Sequence, residues 1–308
     1  MLQLPPVATT TVGSFPRPGW LAERNRSEVT FRLQGDELRE AQDDATLIVL
    51  REQERLGLDL VTDGEQRRAQ FIFHVLEHMD GFDVTDRRSK AIRRRTTHER
   101  LVPRVVAPIR RREPAVVDDL RFAKAHTSLP VKISVPGPVT VVDSTYDDFY
   151  RDEAGMAMDI AAALNAELLD LQAAGADLLQ IDEPAMTRFP EKVAAFGRRA
   201  LDRCLERITV PTIVHLCFGY PGGEALQHEY GYPELLRLLM ESRIGGFSLE
   251  FARSRFDTKI LEICSGRLVM FGCIDPGDTP PEPMEIVNRR VREALNYVDP
   301  RRLLLAPD

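Results

Sequence analysis

The sequence predicts an α/β fold, a (β/α)8 or TIM barrel in which eight parallel strands close into a cylinder inside a ring of helices. Eight short apolar runs recur along the 308 residues, and helical periodicity fills most of the gaps between them. A glycine suited to ending a helix stands just before two of these runs, in "ERLGLDLV" and "QAAGADLLQI". Short apolar strands separated by helices indicate a parallel sheet, and eight of them indicate closure. We therefore expect one barrel domain over residues 1–308.

The predicted strands share an apolar character and end in turn-forming or polar residues. In chain order they are 7–13, 58–63, 131–135, 178–182, 212–217, 246–250, 268–273 and 303–306. The predicted helices share apolar positions spaced three and four residues apart. In chain order they are 36–56, 152–174, 191–207, 232–241, 256–263 and 282–297.

Two stretches depart from this alternation. Residues 66–130 are too long for a single crossover, and within them 87–112 is strongly basic with alternating apolar positions, which predicts a hairpin excursion after strand two. The arginines there indicate either a solvated decoration or a docking surface for an acidic partner. The second departure is "LLLAPD", where the chain stops directly after the eighth strand. Because a barrel normally has a helix after its last strand, we expect a further C-terminal segment.

Composition excludes several classes of protein. A net charge of −7 argues against general nucleic-acid binding. No charged-then-apolar leader and no run of 18 apolar residues occurs, so we expect a cytoplasmic protein that does not enter a membrane. Four cysteines make a poor disulfide framework. Cys204 and Cys264 fall in helix-like stretches and are expected to be core thiols, whereas Cys217 and Cys273 lie at strand ends.

Polar and turn-forming residues gather where the predicted strands end. In barrels of this kind the carboxyl ends of the strands carry the active site. A purely structural barrel does not need polar groups at nearly every strand end, so we expect a functional site at that face. In strand order these ends are Gly13–Ser14, Asp63–Glu65, Pro136–Pro138, Asp182–Glu183, His215 with Cys217, Glu250, Cys273 with Asp275, and Asp308.

One group of these residues predicts a metal site. Strand side chains alternate between faces, so His215 and Cys217 point the same way. Together with Glu250 on the next strand they offer nitrogen, sulfur and oxygen ligands, which suit Zn²⁺. Such a site binds a substrate thiol and keeps it deprotonated at neutral pH. A fourth ligand is needed, and from the residues alone Cys273 is open either as that ligand or as a small apolar core residue.

A second group predicts a pocket for a small cation. Glu65 and Asp182 are placed to hold the ammonium group of a substrate. The alternative is that they stabilise their own turns by accepting backbone N–H bonds, since "DGE" and "DEP" are turn-like sequences.

The motifs together resemble a known family. They are "TTTVGSFPRP" (9–18), "DGE" (63–65), "PGPVT" (136–140), "LQIDEPA" (179–185), "HLC" (215–217) and "LE" (249–250), and their order and spacing cover nearly the whole chain. In these features the chain resembles the catalytic barrel of cobalamin-independent methionine synthase, as a short single-barrel relative. The resemblance implies a (β/α)8 barrel that uses zinc to activate homocysteine for methylation.

The resemblance also implies the ligand set. His215, Cys217 and Glu250 match three zinc ligands of the family. The fourth family ligand is a cysteine shortly after strand eight, in a segment resembling "PDCG". We therefore expect it immediately after Asp308, and we do not expect Cys273 to bind the metal.

Roles for the substrate pocket follow from the same comparison. Asp182 and Glu65 match the groups that hold the amino end of homocysteine, and Asp182 is predicted to be catalytic as well. Gly13 and Ser14 match part of the segment that grips the substrate carboxylate.

The methyl-donor half departs from the family pattern. The family has an aromatic residue soon after "GPVT" that stacks on folate, and Tyr146 in "VVDSTYDD" is the available substitute. A family histidine in the strand-seven loop, proposed as an acid, is absent here, and "CIDPGD" offers Asp275 and Asp278 instead. The donor is therefore open between methyltetrahydrofolate and a methylcorrinoid, with a donor or accessory protein as a partner.

The leading hypothesis is a zinc-dependent S-methyltransferase acting on homocysteine. One alternative keeps the zinc chemistry but uses another thiol, such as coenzyme M. Glu65 and Asp182 favour an amino-acid thiol, because a sulfonate would require Arg or Lys; Arg67 and Arg68 nevertheless lie nearby in sequence. A second alternative is a barrel without catalysis that serves as a binding module. A decarboxylase of the porphyrinogen type is disfavoured, since that chemistry needs no His-x-Cys pair.

Overall fold

The computed structural model describes residues 3–23, 29–91, 99–218, 231–277 and 280–308. The strands of the described chain are β1 (Ala8–Thr9), β2 (Ala22–Glu23), β3 (Thr30–Phe31), β4 (Met79–Ala91), β5 (Glu99–Arg111), β6 (Lys132–Pro136), β7 (Tyr146–Asp147), β8 (Leu178–Asp182), β9 (Thr212–Leu216), β10 (Gly246–Glu250), β11 (Leu268–Ile274) and β12 (Leu303–Pro307). Seven of them form the central parallel sheet, in the order β1, β12, β11, β10, β9, β8, β6.

The segment predicted as strand two closes the sheet without forming a regular strand. Its Leu60 N–H donates to the Thr9 carbonyl at 3.1 Å, while Val61 forms an isolated parallel bridge with Val131. The Asp59 carboxylate accepts from the Thr9 N–H at 2.8 Å, a bond that takes the place of a ladder hydrogen bond. The segment thus joins both edges of the sheet, and the predicted barrel is confirmed with this one strand reduced to a bridge.

Helices cover the sheet as predicted, with several additional short ones. The helices are α1 (Gly35–Arg55), α2 (Phe71–Leu76), α3 (Val117–His126), α4 (Pro138–Asp143), α5 (Glu153–Ala173), α6 (Pro184–Arg188), α7 (Pro190–Lys192), α8 (Arg198–Cys204), α9 (Tyr232–Met240) and α10 (Met284–Ala294). A π-helical turn over Val193–Gly197 interrupts the predicted helix at 191–207, and the one predicted at 256–263 is a 3-10 helix, Thr258–Cys264. Gly57 (φ 74°) and Gly175 (φ 91°) follow α1 and α5 in the left-handed conformation that ends a helix.

The barrel interior changes character along its axis. Its lower layer is apolar and clustered, whereas the positions above it, towards the carboxyl ends of the strands, are polar. Side chains on the other face of the strands, such as Ile181, Val214 and Leu249, pack under the helices in the main core. The site is therefore supported from below by apolar packing. The lower layer consists of Ala8, Leu60, Leu178, Ile213, Met270, Leu304 and Ala306.

The predicted excursion is a long antiparallel hairpin of β4 and β5, and β7 adds to it in parallel with β5. Arg104 pairs with Asp148 at 2.6 Å, and Arg111 pairs with Glu167 of α5 at 2.8 Å. Arg104 and Arg111 are thus paired with carboxylates of the same chain, which weighs against the docking interpretation for these two arginines; residues 92–98 lie outside the described chain. Within the described ranges, no helix has both the length and the apolar character needed to cross a membrane.

Candidate active site

The loop after β1 is hydrogen-bonded to the turn that follows the segment 58–63. The Thr62 hydroxyl donates to the Gly13 carbonyl at 3.0 Å, and the Phe15 N–H donates to the Gly64 carbonyl at 3.0 Å. Gly64 and Glu65 are both left-handed, with φ of 64° and 55°. This conformation is unusual for a non-glycine residue and is typical of functional positions. It directs the Glu65 side chain into the barrel mouth.

Glu65 lies beside the loop after β1. The Ser134 hydroxyl donates to Glu65 Oε1 at 3.1 Å. A side chain at position 13 would begin only 3.0 Å from Glu65 Oε1, so Gly13 permits the close approach of this carboxylate. The neighbouring Ser14 is exposed to solvent. Gly13, Ser14 and Glu65 therefore line one part of the mouth.

Asp182 ends β8 and is buried. The Gln180 amide donates to Asp182 Oδ1 at 2.7 Å. Burial and the negative charge of Glu65 raise the pKa of Asp182 to about 7, and the Gln180 hydrogen bond and the charge of Lys132 oppose the rise. Glu65 and Asp182 thus interact as two carboxylates in a site of low dielectric constant. Such a pair is stabilised by a bound cation.

A fully buried arginine supports this pair from the side. Arg68 is 1% exposed; it donates to the Ser134 carbonyl at 2.9 Å and lies 3.3 Å from Asp63 and 3.8 Å from Asp119. Arg17 of the loop after β1 donates to the Glu65 carbonyl at 2.6 Å. These bonds hold the turn that presents Glu65.

His215 points into the barrel from β9. It lies in register with Asp182 of β8 and Ser248 of β10, whereas its neighbours Val214 and Leu216 belong to the outer core. Its Nδ1 is 2.8 Å from the Ser248 hydroxyl, which orients the ring and directs Nε2 away from that bond. Burial and the charge of Lys132 lower the pKa of His215 to about 3, so the imidazole is neutral at physiological pH.

Cys217 and Glu250 meet at the adjoining strand ends. The Cys217 thiol hydrogen-bonds the Glu250 carboxylate, and Glu250 Oε2 also accepts from the Phe218 N–H at 2.9 Å. Burial raises the pKa of Glu250, and these two hydrogen bonds oppose that rise. The Tyr232 hydroxyl links the two strands, since it donates to the Leu216 carbonyl and accepts from the Glu250 N–H, both at 2.9 Å.

Asp308 braces the same strand end from β12. Its carboxylate accepts from the Phe251, Ala252 and Arg253 N–H groups at 2.9, 3.0 and 2.6 Å. Burial raises the pKa of Asp308 to about 7, against the effect of these bonds. The turn that follows Glu250 is thereby fixed.

The other predicted residues that the structure describes are Asp275, Tyr146 and Cys273. Asp275 is 3.6 Å from Arg253 and accepts from the Gly277 N–H at 2.9 Å. Tyr146 is 40% exposed on β7, so it belongs to the hairpin sheet and not to the barrel. Asp278 lies outside the described residues. Cys273 is buried, and its thiol donates to the Ala306 carbonyl at 3.5 Å.

The residue types at this site are suitable metal ligands, but they are not assembled into a metal-binding cluster. Over the described ranges, no three His, Cys, Asp or Glu side chains lie close enough together to hold a metal ion. A neutral imidazole, a thiol and a carboxylate nevertheless lie at the ends of adjoining strands, at His215, Cys217 and Glu250. The donor chemistry therefore fits zinc, while the ligand geometry stays a prediction.

Comparison with known proteins decides the family. The family model described as cobalamin-independent synthase, catalytic domain, matches residues 7–308. The chain belongs to the cobalamin-independent methionine synthase family. This confirms the resemblance drawn from the sequence motifs.

Curated relatives and a solved structure of this family match the chain over nearly its whole length. A methionine synthase of Saccharolobus solfataricus is 29% identical over 313 residues, covering 100% of this chain and 89% of that protein. One of Sulfurisphaera tokodaii is 30% identical over 309 residues, covering 100% and 87%. The structure of a B12-independent methionine synthase from Shewanella sp. W3-18-1 in complex with selenomethionine is 35% identical, with a TM-score of 0.92, and covers 98% of this chain and 90% of that one.

Sequence reasoning missed the burial of three charged residues in this family member. Lys132, Arg68 and Asp119 are all at most 6% exposed. The sequence does indicate the position of Lys132. This residue stands two positions before Ser134 in an apolar strand, so both side chains lie on the same face of the strand. None existed for the pairing of Arg68 with Asp119, because it depends on the long-range fold.

Proposed function

We propose that this chain is a zinc-dependent methyltransferase that transfers a methyl group to the thiol of homocysteine and releases methionine. The observation that supports the proposal is the position of two groups of residues at the carboxyl ends of neighbouring strands. The carboxylate pair Glu65 and Asp182 adjoins the set formed by His215, Cys217 and Glu250, through the register of β8 with β9. Relatives named methionine synthase that cover the whole chain support it.

The substrate's amino-acid end is assigned to the first group. Its ammonium would bind Glu65 and Asp182, which lose their mutual repulsion when a cation lies between them. Gly13 and Ser14 would accommodate its carboxylate, since the loop after β1 lies directly against Glu65. The thiol of homocysteine would then extend towards the second group.

The second group is assigned to zinc. His215, Cys217 and Glu250 would hold the ion, with His215 oriented by Ser248. Zinc bound there would keep the homocysteine thiol deprotonated at neutral pH. Glu250 and Cys217 already share a hydrogen bond, whose proton must leave when the thiol becomes a ligand.

In the reaction, the homocysteine sulfur forms a bond to the methyl carbon of the donor. The bond between that carbon and the donor breaks, and the donor keeps the electron pair. We assign Asp275 as the candidate acid for a donor that must be protonated, because it follows β11, in the loop where the family has a histidine proposed as an acid. Tyr146 is the candidate for stacking on a folate donor; a methylcorrinoid, alone or on a partner protein, is the alternative donor.

The test of the function is turnover by the zinc-loaded protein. Homocysteine is supplied with methyltetrahydrofolate or methylcobalamin in parallel, and methionine is quantified. We expect methionine with one of these donors and zinc near one equivalent per chain. A protein that binds no zinc and forms no methionine with either donor would instead support the non-catalytic barrel.

Replacement of Asp182 by Asn is expected to raise the homocysteine KM about tenfold or more, because a hydrogen-bonded charged group at the ammonium is lost. Zinc content should change little, since Asp182 is assigned to the substrate and not to the metal. Steady-state kinetics and metal analysis measure the two effects. An unchanged KM together with lost zinc would contradict the assignment.

A specific observation weighs against a sulfonate thiol. Recognition of coenzyme M would need available cations at the mouth. Arg68 is fully buried against Asp63, and Arg67 is paired with Asp43 and stacks on Phe122. Arg17, which also adjoins Glu65, donates to the carbonyls of Glu65 and Arg68. These three arginines are therefore engaged by internal partners, which favours an amino-acid thiol.

A further inference from the structure

A lysine lies inside the barrel, between the apolar lower layer and the mouth. Lys132 has no exposed surface. Its ammonium donates to the Val12 carbonyl at 2.6 Å and to Gln180 Oε1 at 2.5 Å. Burial lowers the pKa of Lys132 to about 8, and nearby carboxylates, of which Asp182 acts most strongly, oppose this, so it remains protonated at neutral pH. A buried charge is costly unless it is paired and hydrogen-bonded.

The bond from Lys132 decides which way the Gln180 amide points. An amide has one acceptor oxygen and one donor NH₂ group. Because Gln180 Oε1 accepts from Lys132, Nε2 is turned to donate to Asp182 Oδ1 at 2.7 Å and to the Val12 carbonyl at 3.0 Å. The Asp182 carboxylate is thereby held in one orientation by a hydrogen bond from the Gln180 amide.

The same two residues also hold the opposite side of the pocket. Lys132 and Gln180 both donate to the carbonyl of Val12, which directly precedes Gly13 and Ser14. One connected set of hydrogen bonds therefore ties the end of β8 to the loop after β1. These are the two sides assigned above to the ammonium and the carboxylate of the substrate.

We infer that Lys132 and Gln180 are positioning residues that make the pocket selective for an amino acid. They hold Asp182 and the 12–14 segment at the separation that suits an α-ammonium and an α-carboxylate. Neither residue touches the substrate in this arrangement. The inference rests on the proposed function, because it concerns the same pocket.

The test compares two ligands that differ only in the ammonium group. Binding of L-methionine and of 4-(methylsulfanyl)butanoate is measured by isothermal titration calorimetry. The unmodified protein should prefer L-methionine, and Lys132→Met and Gln180→Met should each reduce that preference about tenfold or more. Zinc content should stay unchanged in both variants. A role limited to stability would weaken both ligands alike and leave their ratio intact.

Lys124→Met is the matched control. Lys124 forms an ion pair with Asp177 at 2.7 Å at the other end of β8 and is partly exposed, so its loss should leave the ratio unchanged. Gln180→Met decides the question if Lys132→Met does not fold, because it removes no charge. Folded variants that keep the preference would overturn the inference alone. An unmodified protein without any preference for L-methionine would overturn the proposed substrate with it.

Discussion

Replacement of Cys217 by Ser is expected to abolish zinc binding and thiol methylation together. A serine hydroxyl is a poor zinc ligand at neutral pH, whereas a thiolate binds the ion strongly. Loss of a residue outside the ligand shell typically costs about 10–100-fold in metal affinity, so loss of a direct ligand should cost at least about 100-fold. Metal analysis after dialysis and methionine formation from homocysteine measure the two effects. Circular dichroism checks that the barrel persists.

Cys273→Ser provides the matched comparison. Cys273 is also at a strand end, but its thiol is buried and donates to the Ala306 carbonyl. Burial raises the pKa of this thiol to about 11, which keeps it in the neutral form. Serine can make the same hydrogen bond, so zinc and activity should be retained. If Cys273→Ser lost its zinc while Cys217→Ser kept it, the ligand assignment would be wrong.

The strands were predictable because two local signals coincide in them. β8 and β10 have the predicted bounds, since a short apolar run ends in each case at a carboxylate, Asp182 or Glu250. The alternation of strand faces also appears in β9, where Val214 and Leu216 belong to the outer core and His215 lies in register with Ser248 inside the barrel. Such features depend on neighbours within a few residues, which the sequence displays directly.

The remaining features depend on residues that only folding brings together. Lys132 bonds to Gln180, 48 positions away, and to Val12, 120 positions away. The short helix α2 begins where the Gln70 side chain accepts from the Ile72 and Phe73 N–H groups, both at 2.6 Å, and no long apolar periodicity marks it. The segment predicted as the second strand, 58–63, forms only a bridge, because the Asp59 side chain accepts the Thr9 N–H in place of a backbone carbonyl. Long-range polar pairing and side-chain capping leave little trace in local patterns.

Arg68 illustrates how such a hidden residue controls a predicted one. Its guanidinium is surrounded by Asp63, Glu65 and Asp119, and their charges raise its pKa against the effect of burial. In return, Arg68 opposes the rise in the pKa of Asp119, which burial and Asp63 bring to about 7. Because none of these groups reaches solvent freely, their charges must be balanced within the cluster.

Replacement of Arg68 by Met is therefore expected to lower the free energy of unfolding by about 3–5 kcal/mol, since it leaves buried carboxylates without their partner. The loss of unfolding free energy should be larger at pH 8 than at pH 5. Without Arg68, the pKa of Asp119 in the folded state rises further above its value in the unfolded state. The free energy of unfolding therefore falls more steeply as the pH rises. Urea unfolding at both pH values measures this. The control Arg121→Met breaks the exposed pair with Asp118 and should cost about 0–1 kcal/mol. Equal losses in the two variants would mean that the buried carboxylates do not depend on the charge of Arg68.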